Sequence, residues 1–96
     1  MALFQELQAK REEILRLASE HGAKNVRVFG SVIRGEETDA SDVDFLVDFE
    51  PETGLLAYSS LLEGLQALLG RKVDVVSEKN IYWLLKRRIL KEARPL

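Results

Sequence analysis

The sequence predicts a small α/β fold of the mixed α+β kind, in which a three-stranded sheet is packed with helices. Three short segments alternate apolar and polar residues as strands do, and longer segments around them repeat apolar residues at helical spacing. The length of 96 residues is usual for one domain, so residues 1–96 are interpreted as a single unit. A composition of 46% hydrophobic and 31% charged residues is typical of a globular protein.

The predicted elements follow one another in the order α-β-(short α)-β-α-β-α. The first helix runs from Ala2 to about His21, because apolar residues recur there at helical spacing and Gly22 follows as a cap. The later elements are a strand at 25–29, a helical turn at 31–35, a strand at 43–49, a helix at 55–69, a strand at 72–76 and a helix at 78–93. Gly70 and Pro95 end the last two helices.

The lengths of the connections predict how the strands pair. The helix at 55–69 is long enough for a right-handed crossover between two parallel strands. The first two strands are joined by about a dozen residues, which permits them to be antiparallel neighbours. A small mixed sheet satisfies both conditions.

The composition excludes several classes of function. The chain has no cysteine and His21 is its one histidine, so disulfides, thiolate zinc sites and His-rich metal sites are excluded. No apolar run approaches the ~20 residues of a membrane helix, and the charged N-terminal pattern differs from a signal peptide. With a net charge of −2 there is no global basic field for nucleic acid. These features favour a cytoplasmic protein.

A glycine-serine turn (residues 30–35) follows the first strand. Gly30 and Gly35 have the spacing of a nucleotide-binding loop, but Glu36 and Glu37 stand where a Walker loop needs Lys and then Ser or Thr. Glycine lets backbone approach a ligand closely, and free N–H groups at the start of the turn suit an anion. The Ser31 hydroxyl could add a hydrogen bond to a phosphate, although a lone glycine-serine pair is usually only a turn.

The second strand carries acids where a core residue could stand. Asp42 and Asp44 are two residues apart on it, so both point the same way, and Asp74 joins that face if the third strand pairs with the second. Three adjacent carboxylates repel one another, whereas Mg²⁺ or Mn²⁺ would reverse the local field. Two such ions can hold the attacking and leaving oxygens of an in-line displacement. The simpler alternative is a solvated strand start.

The combination of these motifs is more specific than any part. The stretch G-S-x-x-R-G, then S-D-x-D ending in a hydrophobic strand, then a third Asp inside a valine strand, resembles the nucleotidyltransferase superfamily related to DNA polymerase β. It is most similar to the minimal nucleotidyltransferases, the MNT proteins, and the element order fits the nucleotidyltransferase core. The residues that carry the resemblance are Gly30, Ser31, Arg34, Gly35, Ser41, Asp42, Asp44 and Asp74.

The resemblance implies a role for each of these residues. Asp42 and Asp44 would bind the metals that carry a nucleoside triphosphate. Asp74 would bind the catalytic metal and help deprotonate the acceptor hydroxyl. The implied nucleotide-binding residues are Gly30, Ser31, Arg34 and Ser41. The implied cofactors are two Mg²⁺ ions, with Mn²⁺ as a substitute, and ATP is the implied substrate.

The same resemblance implies a reaction and a partner. AMP would pass from ATP to an acceptor, with release of pyrophosphate. MNT proteins pair with helical HEPN toxins, and an MNT antitoxin can attach AMP to a tyrosine of the toxin. Two alternatives stay open: an antitoxin that blocks its toxin by contact alone, and transfer to a small molecule. A membrane is not implied, and nucleic acid is not expected as the substrate.

The last predicted helix is rich in basic residues. It holds Lys86, Arg87, Arg88, Lys91 and, just after it, Arg94, against Glu92. This face could meet an acidic partner surface or RNA, or it could be a solvated helix face with basic residues near its C-terminus.

Overall fold

The computed structural model describes residues 2–38 and 40–96 and shows a mixed α+β fold, as predicted. The elements in chain order are α1 (Ala2–Ala9), α2 (Arg11–Glu20), β1 (Ala23–Phe29), α3 (Ser31–Arg34), β2 (Val43–Phe49), α4 (Leu55–Leu69), β3 (Val73–Ser77), a 3-10 turn (Glu78–Asn80), α5 (Trp83–Glu92) and β4 (Arg94–Pro95). Asp39, which belongs to the predicted polar loop between α3 and β2, lies outside the described residues.

The sheet has the order β3-β2-β1-β4. Strands β1 and β2 are antiparallel and β2 and β3 are parallel, which confirms both pairings expected from the connection lengths. Helix α4 makes the crossover between the parallel strands, and its bounds are those that the sequence predicts. Strand β2, the more hydrophobic of the two strands that carry acids, therefore has a partner on each side.

The fourth strand corrects the predicted number of three. The two residues Arg94 and Pro95 pair antiparallel with Val28 and Arg27 at the far edge of β1. The Leu96 N–H also donates to the Val26 carbonyl at 3.2 Å. A proline can occupy such an edge because the side of the strand that faces away from the sheet needs no N–H donor. The sequence indicates Pro95 as a helix stop, but it does not show that the chain then returns to the sheet.

Two predicted helix boundaries also differ. The first helix is interrupted at Lys10, whose ammonium donates to the Leu68 carbonyl at 3.1 Å. The break divides one apolar stripe into two, and both are buried in the core, through Leu7 of α1 and Ile14 of α2. The last helix begins only at Trp83, because residues 78–80 form a 3-10 turn first.

The two faces of β2 have different surroundings. Val43, Phe45 and Val47 are buried in the main hydrophobic core, which α1, α2 and α4 also line. The opposite face carries Asp44, and beyond it Leu46, which is fully buried between its strand neighbours Arg27 and Val76. The helices thus stabilise one face of the sheet and leave the acidic positions on the other.

Among the described helices, none is both long enough and apolar enough to cross a membrane.

Candidate active site

The three acids come together through the pairing of β2 with β3. Asp44 and Asp74 are direct partners in the parallel register, so their side chains leave the sheet on the same face. Asp42 stands immediately before β2 begins, two residues before Asp44, and its charge acts on Asp44. Asp42 and Asp44 are half-buried and Asp74 is exposed, which leaves the group open to solvent on the Asp74 side.

The acids influence one another electrostatically. The pKa of Asp44 is raised from 3.8 to about 6, first by burial and then by the neighbouring negative charges of Asp74 and Asp42. The positive charge of Arg34 opposes this shift, and the carboxylate of Glu92 adds to it. This repulsion between carboxylates destabilises the metal-free protein, and a bound cation would reduce it.

The donors suit a hard divalent cation such as Mg²⁺ or Mn²⁺, because all three are carboxylates. In the part of the chain that the structure describes, however, no group of three or more histidine, cysteine or acidic side chains is placed to hold a metal ion. The structure therefore shows Asp44 paired with Asp74, with the charge of Asp42 acting on Asp44, but it does not show a formed ion site.

Gly30 brings the glycine-serine turn directly against these acids. Its backbone has φ 82° and ψ −153°, a combination that is essentially restricted to glycine. A Cβ atom at this position would also collide with Oδ2 of Asp44. The position therefore requires glycine for two separate reasons, one conformational and one steric, and the second links the turn to the acidic group.

The turn is held by a residue that the sequence interpretation did not single out. The Gly30 N–H donates to Oε2 of Glu92 at 2.8 Å, and Nη1 of Arg34 donates to Oε1 of Glu92 at 2.8 Å. Nε of Arg34 donates to Glu36, also at 2.8 Å. The Gly30 N–H that was expected to be free for an anion thus already has a carboxylate acceptor. In the sequence, Glu92 stands out only as an acid among the basic residues near the end of the last helix.

Ser41 closes the loop before the acids. Its hydroxyl accepts a hydrogen bond from the Thr38 N–H at 2.7 Å, and its carbonyl accepts one from Arg71 at 3.1 Å. These bonds fix the direction in which the chain enters β2 and hence the direction of Asp42. Ser31, in contrast, is half-buried at the start of α3, beside Gly30.

Asp48, another acid on the same face of β2, forms an ion pair with Arg27. Asp48 accepts a hydrogen bond from Nη2 of Arg27 at 3.4 Å, while Nη1 of Arg27 donates to Glu78 at 2.7 Å. This ion-pair network covers the end of the strand that is remote from Asp44, so Asp48 stabilises the sheet and is not a fourth member of the acidic group.

Residues 9–96 match a family model described as the nucleotidyltransferase domain. The chain belongs to this nucleotidyltransferase family. The match covers both strands that carry the acids, the glycine-serine turn and Glu92, so every residue of the candidate site lies within the family domain.

Two relatives of this nucleotidyltransferase are named as protein adenylyltransferases. The protein adenylyltransferase MntA of Thermococcus cleftensis is 42% identical over 76 residues, which are 79% of this chain and 77% of that protein. A Methanocaldococcus jannaschii protein, provisionally named a protein adenylyltransferase, is 40% identical over 83 residues, 86% of this chain and 89% of its own length.

Solved structures show the same fold. One that was provisionally assigned as a minimal nucleotidyltransferase is 48% identical, with a TM-score of 0.86 over 96% of this chain and 94% of the other. A toxin-antitoxin structure with AMP-PNP has a TM-score of 0.74 over 88% of this chain and 69% of the other. At 21% identity, that second likeness concerns the fold alone.

Proposed function

We propose that this nucleotidyltransferase is a protein adenylyltransferase that transfers AMP from ATP to a hydroxyl of a partner protein. The partner would be a HEPN toxin, the acceptor one of its tyrosines, and the chain its antitoxin. The observation that carries the proposal is the parallel register that sets Asp44 beside Asp74, next to the turn that begins at Gly30. The relatives named as protein adenylyltransferases support a protein as the acceptor.

The reaction is an in-line displacement at the α-phosphorus of ATP. The acceptor oxygen forms a bond to that phosphorus, the bond from phosphorus to the oxygen that bridges to the β-phosphate breaks, and pyrophosphate leaves with the electron pair. The exposed carboxylate of Asp74 faces the solvent side from which an acceptor arrives, and it takes the hydroxyl proton. Mg²⁺ or Mn²⁺, two ions held by Asp42, Asp44 and Asp74, would supply charge neutralisation at the phosphate oxygens.

The glycine-serine turn would hold the triphosphate. Gly30 removes the side chain that would otherwise separate the turn from Asp44, and the Ser31 hydroxyl donates a hydrogen bond to a phosphate oxygen. Arg34 adds positive charge, which already acts on Asp44. Ser41 takes part through the loop that it closes, because its bonds set the position of Asp42.

The test is label transfer to the toxin. With ATP labelled at the α-phosphate, Mg²⁺ and the cognate HEPN toxin, we expect the label on the toxin and one pyrophosphate released for each AMP attached. Replacement of the acceptor tyrosine by Phe removes the label. The absence of transfer with both Mg²⁺ and Mn²⁺ would contradict the proposal. If an Asp42→Asn, Asp44→Asn double variant still binds the toxin and protects cells, inhibition by contact is the function instead.

The last helix provides a surface for such a partner. None of the ten residues of α5, all of which the structure describes, is buried. Trp83 is 73% exposed and Leu84 58% exposed. Beside them, a groove of about 480 Å³ is lined by Leu84, Arg87, Arg88, Lys91 and Glu92. The exposed apolar side chains of α5, with basic side chains around them, suit an acidic surface of a partner protein. Glu92 connects this face of α5 to the glycine-serine turn.

Trp83→Ala is therefore expected to weaken toxin binding by roughly thirtyfold, because buried tryptophans commonly dominate the affinity of an interface. The melting temperature should hardly change, since the side chain is exposed in the free protein. Leu56→Ala is the matched control: Leu56 is 81% exposed but lies on α4. Calorimetry that shows equal losses for both variants would contradict a specific role for α5.

A further inference from the structure

A single carboxylate spans the glycine-serine turn. The two oxygens of Glu92 accept hydrogen bonds from the Gly30 N–H, where the turn begins, and from Arg34, where α3 ends. The Glu92 side chain is only 15% exposed. Partial burial alone would raise the pKa of Glu92, but the bonds from Arg34 and Gly30 outweigh it and hold the pKa below its usual value. Glu92 is therefore a charged, doubly bonded link between α5 and the turn.

The short strand β4 determines where this carboxylate lies. In its antiparallel pairing with β1, Arg94 stands opposite Val28 and Pro95 opposite Arg27. Glu92 is the last residue of α5 and stands two residues before β4, so this pairing holds the end of α5 next to the end of β1, which Gly30 follows. Because Leu96 adds a further backbone bond to β1, the position of Glu92 is anchored by the sheet and does not depend on α5 alone.

We propose that Glu92 is a positioning residue for nucleotidyl transfer: it holds Gly30 and Arg34 so that Ser31 and Asp44 meet the triphosphate in a fixed geometry. This inference rests on the proposed function. Glu92 itself touches no reacting atom, and it acts through the turn.

A competing interpretation is that Glu92 occupies the phosphate site as an internal anion and has to leave when ATP binds. The anchoring of its backbone by β4 and its two short bonds favour a fixed role over displacement. The interpretations predict opposite effects on affinity, because removal of a competitor strengthens ATP binding and removal of a positioning residue weakens it.

The experiment measures the affinity for AMP-PNP with Mg²⁺ by calorimetry in the full chain. We expect Glu92→Ala to weaken binding about tenfold, since two charge-assisted bonds that order the turn are lost. Glu92→Gln should weaken it only about threefold, because its amide oxygen still accepts from Gly30. Glu78→Ala is the matched control: it removes the Arg27–Glu78 ion pair, of 2.7 Å, on a part of the sheet away from the turn, and should leave the affinity unchanged.

A second measurement isolates the turn from nucleotide binding. Amide hydrogen exchange at Gly30, followed by NMR without nucleotide, should accelerate in Glu92→Ala and not in Glu78→Ala. Unchanged exchange, unchanged affinity or tighter binding in Glu92→Ala would each overturn the inference. If wild-type protein binds no AMP-PNP, the proposed function fails by itself, while the exchange data still decide whether Glu92 holds the turn.

Discussion

Asp44→Asn is expected to lower AMP transfer by roughly a thousandfold and, at the same time, to make the metal-free protein more stable at neutral pH. Under the proposed function, Asp44 is a metal ligand and its loss lowers activity, because a bound cation contributes several kcal/mol of charge stabilisation in the transition state and each ~1.4 kcal/mol is a factor of ten in rate. The gain in stability has a separate cause, which is the cost of an ionised Asp44 among other acids.

The direction of the pH dependence follows from the pKa of Asp44, which is raised from 3.8 to about 6 in the folded protein. A raised pKa means that the folded state binds the proton more tightly, so this contribution to stability is complete below pH 3.8 and is lost as the pH rises through about 6. A shift of this size corresponds to roughly 3 kcal/mol, which solvent screening of a half-exposed group reduces to about 1 kcal/mol.

Urea unfolding in EDTA at pH 3.5 and pH 7.5 tests the expected pH dependence of stability. The free energies of unfolding of wild type and Asp44→Asn should agree at the lower pH, and the variant should exceed wild type by about 1 kcal/mol at the higher pH. Mg²⁺ should stabilise wild type only. Asp48→Asn is the control, because Asp48 lies on the same face of β2 but pairs with Arg27; it should retain activity and lose some stability. Equal pH profiles for wild type and Asp44→Asn would contradict the expected repulsion.

Gly30→Ala is expected to lower AMP transfer by about a hundredfold, because the reacting groups would be displaced. It should also cost roughly 2–3 kcal/mol of stability, because alanine would have to adopt a backbone conformation that is essentially restricted to glycine. The added methyl group meets Oδ2 of Asp44, so either the turn or the carboxylate has to move. Activity, nucleotide affinity and unfolding free energy should all decline, and together they measure how closely the turn and the acids depend on each other.

Gly70→Ala separates the strain of a positive φ from the collision with Asp44. Gly70 has φ 65° and caps α4, and a Cβ atom there would meet no other atom within 4 Å. This variant should lose about 1 kcal/mol of stability through left-handed strain alone and keep full activity. If Gly30→Ala behaves like Gly70→Ala, the contact between residue 30 and Asp44 has no functional importance.

Most of the fold could be predicted because its elements are locally periodic. The alternation in Val43–Phe49 and the apolar spacing in Leu55–Leu69 have the periods of a strand and of a helix, and both elements have the predicted bounds. Elements without a local pattern were predicted wrongly. β4 is two residues long and contains Pro95, and Lys10 interrupts what reads as one continuous helical stripe.

The sequence by itself predicts that Asp42 and Asp44 share a face, and it determined that a glycine-serine turn follows the first strand. Both follow from neighbours in the chain, since a strand alternates its side chains with a period of two. Only the tertiary structure decided that Asp74 stands beside Asp44, through the parallel register, and that Glu92 reaches Gly30, 62 residues away. Such meetings depend on hydrogen bonding between distant strands, and no local pattern at residue 74 or residue 92 encodes the strand that each will join.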